Sequence, residues 1–170
     1  MTGDASVLGS LHSVDGAGVV RMEARFDTGI DDLWGAVTEP ERLARWYGEV
    51  EGELAPGGEF RVHITLGGPR TGRVEACEPP HRLLLAMRDP EARPGQPDRT
   101  EIEAKLIAEG AQTRLVWETR GMPVNLLPAY GAGIQIHVEH LADYVSGRDF
   151  SVDDARWDEL FAAYEAVGIS

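Results

Sequence analysis

LLPAYGAGIQIHVEHLADYVS, residues 126–146, is the longest helical pattern in the chain. At roughly 100° per residue, Leu127, Ile134, Val138, Leu141 and Val145 fall within one narrow arc, so a stripe of this helix must be buried. Gly147 suits the left-handed cap that ends such a helix. The segment before it supplies the covering surface. Phe60, Val62, Ile64 and Leu66 alternate there with Arg61, His63 and Thr65, and Val74 and Ala76 with Arg73, Glu75 and Cys77. Ile102, Ala104 and Leu106 alternate with Glu101, Glu103 and Lys105, and Leu115 and Trp117 with Arg114, Val116 and Glu118. Strands with one apolar face belong to an antiparallel sheet covered on one side. Further strands are expected over 49–54 and 82–88, where Leu83, Leu84 and Leu85 in a row suggest burial on both faces. Turn residues punctuate the run at Pro56-Gly57-Gly58, Gly67-Gly68-Pro69, Pro79-Pro80 and Glu109-Gly110, with a polar, proline-containing loop over 89–98.

Upstream, Val7-Leu8 and Leu11 lead into Val14-Asp15-Gly16 and then a second strand. There Val20, Met22, Ala24 and Phe26 share one face, and Arg21, Glu23 and Arg25 the other. Asp-Gly between alternating segments signals a hairpin. Thr28 or Asp31 can cap the following helix, whose apolar face holds Leu33, Trp34 and Val37, and Pro40 suits the first turn of a short second helix carrying Leu43, Trp46 and Tyr47. Two short helices in a row fit a clasp at one end of an antiparallel sheet better than a crossover. The economical arrangement is α+β: a curved antiparallel sheet wrapped around the long C-terminal helix, with two short helices after the second strand. A sheet curled around a single helix leaves space, and concave apolar spaces are where small molecules bind.

The 170 residues suit one domain, and a hydrophobic fraction of 42% argues against disorder. A net charge of −13 disfavours nucleic acid and anionic membrane surfaces, no apolar run is long enough to span a bilayer, and Met1-Thr2-Gly3-Asp4-Ala5-Ser6 lacks the basic flank of a signal peptide. The expected setting is cytoplasmic, without membrane insertion. Cys77 is the one cysteine, which excludes an internal disulfide.

VVRMEARFDT (19–28) and DLWGAVTEPERLARWY (32–47), followed by PGGEF (56–60), EPPHRL (78–83), TRL (113–115) and GIQIHVEHL (133–141), resemble the START-like (SRPBCC) superfamily. More narrowly they are similar to the AHSA1-like branch, related to the C-terminal domain of the Hsp90 ATPase activator. Ile134 departs from the pattern, since relatives often carry Trp there. The resemblance covers about Leu8 to Gly147 and implies a helix-grip fold with a cavity between sheet and long helix. Relatives bind lipids, hormones or polyketides, and a minority catalyse cyclisation or aromatisation. The co-chaperone has a separate N-terminal Hsp90-binding domain with no counterpart here, which turns the expectation away from Hsp90 regulation.

Trp34, Trp46, Tyr47, Phe60, Met87 and Trp117 are candidate pocket walls, and each taken singly is also an ordinary core aromatic or methionine. On the long helix, Leu141 belongs to the apolar stripe, and Tyr130, His137 and Tyr144 run along one edge of it, where they either orient a ligand or sit as boundary residues. His137 and His140, with Glu103 or Glu139, have the residue types of a metal site, but an i, i+3 histidine pair is a weak signal and no metal is expected. His63 reads as a surface or core histidine. The charges of Arg73/Glu75 and Glu101/Glu103 are expected to face outward. No Ser-His-Asp order, phosphate loop or nucleotide fingerprint is present, so no cofactor and no catalytic residue is assigned.

The expected function is binding of a small apolar molecule. The alternatives are an enzyme on the same scaffold using His137, Tyr144 or His63 in cyclase, dehydratase or hydrolase chemistry, and a co-chaperone-like interaction module. The helix-grip domain is expected over 1–150. Residues 151–170 should form an amphipathic helix from near Ser151 or Asp153, with Trp157, Leu160, Phe161 and Tyr164 on one face, packed on that domain or at a homodimer interface.

Overall fold

A computed structural model describes residues 9–94 and 99–170. The expectations for Met1–Ser6, for Val7-Leu8 and for the end of the 89–98 loop lie outside the described residues, wholly or in part. Strands β1 (Ser10–Val14) and β2 (Ala17–Phe26) form the first hairpin, with Asp15 and Gly16 both at positive φ in its turn. Helices α1 (Ile30–Thr38) and α2 (Pro40–Trp46) follow, then β3 (Gly48–Gly52), β4 (Glu59–Ile64), β5 (Gly68–Glu78), β6 (Arg82–Arg88), β7 (Arg99–Glu109) and β8 (Gln112–Met122). A 3₁₀ turn at Val124–Leu126 leads into α3 (Leu127–Val145), and α4 (Asp154–Val167) follows. The strands form one antiparallel sheet in the order β1-β2-β8-β7-β6-β5-β4-β3. This is the helix-grip α+β architecture, a curved open sheet around C-terminal helices with two short helices after β2.

The inward faces are those the alternation predicts: Val20, Met22, Ala24 and Phe26 on β2, Leu106 on β7 and Leu115 and Trp117 on β8 are buried. The outward face carries ion pairs instead of a second layer. Glu23 joins Arg21 and Arg114, Arg120 joins Glu101, Glu103 and Glu118, and Arg82 also reaches Glu103. Such half-exposed pairs are worth about 0–1 kcal/mol each and serve mainly to satisfy an uncovered surface.

Several local expectations are corrected. The α1 N-cap is Gly29, with no side-chain cap; Thr28 instead donates its hydroxyl to Asp32 at 2.8 Å. Leu66 lies beyond the end of β4, in the turn, and packs against the small cluster of Ala132, Ile136 and Leu160. A bulge between Val74 and Ala76 shifts the β5 register, so Ala76 pairs with outward Leu84 and Cys77 with buried Leu83. Cys77 therefore packs on the core, opposite to the simple alternation. Leu84 is half-buried, on an outer face that no described element covers at β6.

Helix α3 is buried on two sides. Leu127, Val138 and Leu141 join the main core, while Ala132 and Ile136 lie beneath Leu160 of α4. Asp153 caps α4 by accepting from Ala155 N–H at 3.0 Å. Beyond α4, Ser170 exchanges backbone hydrogen bonds with β1, to Leu11 at 2.9 Å and from Ser13 at 3.0 Å, covering that sheet edge. No described helix is long and apolar enough to cross a membrane.

Candidate functional site

The clasp of α1 and α2 roofs the concave face of the sheet and leaves an apolar cavity beneath it. Val37, Leu43, Trp46 and Tyr47 form the roof. Val50, Leu54, Phe60, Val62, Leu83, Leu85, Met87, Ile102, Ala104, Leu115 and Trp117 form the floor and sides. The space that can take the centre of a water-sized sphere is about 60 Å³. Both indole N–H groups are used away from it, Trp46 donating to Ala36 carbonyl at 2.8 Å and Trp117 to Thr119 hydroxyl at 3.1 Å. Trp46 and Trp117 meet edge to face at 6.2 Å between ring centroids, and Tyr47 lies 5.4 Å and 6.0 Å from them.

Of the residues singled out in the sequence, the structure brings Trp46, Tyr47, Phe60, Met87 and Trp117 to this wall. None of the lining side chains comes from α3. This cavity lies between clasp and sheet, with α3 beside it, whereas the sequence reading places a cavity between sheet and long helix. His137 touches the site indirectly, its ring 4.9 Å from that of Tyr47. Leu141 is fully buried in the core. Trp34 and Tyr130 are half-buried on the core's margin. Tyr144 accepts a hydrogen bond from Arg42 Nε at 2.9 Å, and Arg42 also pairs with Asp32 at 3.0 Å, which ties the clasp to α3. The aliphatic part of the wall comes from inward strand positions 62, 83, 85, 102 and 104, whose alternation in the sequence is the signal that places them there.

His137 is buried, and among the described residues its Nε2 has no hydrogen-bond partner. Burial, with a smaller contribution from His140, lowers its pKa to about 3, so the imidazole is neutral near pH 7. Burial likewise pushes the Tyr47 hydroxyl up to about 12 despite Arg70. His140 does not converge with His137, stacking instead on Phe150 at 4.4 Å. Glu103 is held on the outer face by Arg82 at 2.6 Å and Arg120 at 3.0 Å. Among the described residues no three potential metal ligands cluster. His63 is exposed on β4, and burial raises the pKa of the Cys77 thiol.

Gly72 on β5 pairs with Phe60, and a Cβ there would come within 2.3 Å of the tip of the Phe60 ring. Gly72→Ala is therefore expected to displace that wall and cost about 1–3 kcal/mol, read as a lower Tm.

Residues 27–146 match the family described as Activator of Hsp90 ATPase homolog 1-like protein. The chain belongs to this AHSA1-like family. The crystal structure of CalU16 from Micromonospora echinospora is similar to this AHSA1-like chain, with 27% identity, a TM-score of 0.74 and 94% of each chain covered. DynU16, described as a protein in the dynemicin biosynthetic locus, is 26% identical with a TM-score of 0.68 over 76% of this chain and 48% of its own. MLL2253 from Mesorhizobium loti, at 24% identity and a TM-score of 0.68 over 78% of this chain and 99% of its own, shares the fold. No curated protein matches the chain. The AHSA1-like helix-grip scaffold is one capable of ligand binding or catalysis.

Proposed function

We propose that this chain binds a small apolar molecule in the cavity beneath α1 and α2. The observation that carries the reading is the wall itself: fifteen side chains, all apolar or aromatic apart from the Tyr47 hydroxyl. The space exceeds the roughly 10–15 Å³ that one water needs, but water there finds almost no partners. An apolar guest gains on the order of 25 cal/mol per Å² of surface removed from water.

The test is a native mass spectrum of the purified protein with denaturing extraction, paired with melting curves across an apolar ligand panel. The expected result is a retained small molecule or a panel member that raises Tm. At about 100 times Kd that member contributes roughly 2.7 kcal/mol. Ala104→Leu extends a side chain into the space and should weaken the same ligand about tenfold, as expected where the added methylenes occupy a packed site. No retained mass together with no Tm response across the panel rejects the reading.

A second reading, catalysis on the bound molecule, draws support from the likeness to DynU16, a protein whose description places it in a biosynthetic locus. A buried histidine behind the wall adds to it. Recovery of the molecule chemically changed after incubation would favour this reading over simple binding.

A further inference from the structure

Tyr47 has two neighbours of different character. One side of its ring belongs to the cavity wall beside Trp46 and Trp117. Another neighbour is His137, at 4.9 Å and tilted by 56°. The Tyr47 backbone is fixed, its N–H donating to Leu43 carbonyl at 2.8 Å and its carbonyl accepting from Thr65 N–H at 3.1 Å. Movement at this position therefore belongs to the side chain. Beside it, His137 Nε2 is buried with no partner among the described residues, and a buried polar atom left unsatisfied calls for an explanation beyond packing.

We propose that Tyr47 is a side-chain gate, and that a ligand which displaces it reaches His137 Nε2 with a hydroxyl group. The inference rests on the cavity-binding reading and names its ligand class: a compact apolar body ending in one uncharged hydroxyl. Either tautomer of a neutral imidazole is served, because a hydroxyl both donates and accepts. Arg70, the cation that reaches Tyr47, is itself paired with Asp89 at 3.7 Å. A carboxylate in place of the hydroxyl would bring an uncompensated charge against a neutral ring.

Naphthalene, 1-naphthol and 1-naphthoate are the probes, measured at neutral pH by calorimetry and by the ring ¹⁵N shifts of His137 in the full chain. The expected order is 1-naphthol tighter than naphthalene by about tenfold, in line with one satisfied hydrogen bond, and 1-naphthoate weakest. The His137 Nε2 resonance should move with 1-naphthol and stay in place with naphthalene. In His137→Phe the affinities for 1-naphthol and naphthalene should converge. If naphthalene and 1-naphthol bind the wild type equally, or the Nε2 resonance is indifferent to both, the His137 assignment falls while the cavity reading stands. Tighter binding of 1-naphthoate overturns the ligand class. If none of the three binds, this inference falls, and the wider ligand panel decides the cavity reading separately. The wild-type ring shifts keep the test decisive even if His137→Phe fails to fold.

Discussion

Tyr164→Ala should cost about 3–5 kcal/mol of stability, the range for deleting a large buried aromatic. Tyr164 is fully buried although it lies near the end of the chain. Its ring sits against Gly131 of α3, where a Cβ would come within 3.2 Å of it, so α3 and α4 approach closely at that point. Its hydroxyl donates to Gln135 Oε1 at 2.6 Å and accepts from Gly9 N–H at 2.7 Å, with Met22 sulfur 3.3 Å away. One residue thus joins α4, α3, β2 and the chain just before β1. Gln135 in turn donates to Glu139, which Arg156 of α4 also holds. Tyr164→Phe keeps the ring and removes the hydroxyl, leaving Gln135 Oε1 and Gly9 N–H without it. About 1–3 kcal/mol should be lost. Urea unfolding reads both variants as lower midpoints with an unchanged m-value. A Tyr164→Phe midpoint equal to the wild type's would mean that water replaces the hydroxyl and that the network does not hold α4 in place.

The strands, the hairpin, the clasp and the long helix were legible because each rests on local chemistry: alternation, Asp15-Gly16, Pro40, and the stripe from Leu127 to Val145. The inner surface followed from the same alternation wherever the register is regular. It failed at β5, where the bulge beside Glu75 turns Cys77 inward, because a bulge is a pairing event between strands and leaves no period in a single sequence. The second buried face of α3, with Ala132 and Ile136, was hidden for a related reason: Ala132, between two glycines, and Ile136 become a contact surface only once α4 lies on them. The position of the cavity was the least legible part. Whether space remains under the clasp or under α3 depends on how the two short helices tilt, with Arg42 reaching Tyr144 across 102 residues of sequence. His137 illustrates the limit. Its place on the edge of the stripe could be read, but its isolation behind Tyr47 could not.

That isolation predicts an acid-sensitive fold. In the unfolded chain His137 titrates near 6.5, whereas in the folded protein burial holds it at about 3. Between these values the unfolded state binds a proton that the folded state refuses, so stability is intact above pH 6.5 and falls as the pH drops toward 3. At about 1.4 kcal/mol per unit, the full window is worth on the order of 5 kcal/mol. About 2 kcal/mol of this should be lost between pH 7 and pH 5. His140 shifts in the same direction through burial, and Glu23, held low by its hydrogen bonds to Arg21 and Arg114, adds its own loss at lower pH. His137→Phe isolates this group apart from its small coupling to His140, since the titrations of groups that do not interact with His137 cancel between variant and wild type. The variant should match or exceed the wild type at pH 7, because it replaces a buried polar atom lacking a partner with an apolar ring of similar shape. Its advantage should then widen by about 2 kcal/mol at pH 5, measured by urea unfolding at both pH values. Parallel pH profiles would show that the folded protein accepts the proton at His137, by solvent entry or by movement of Tyr47, and would count against a closed gate.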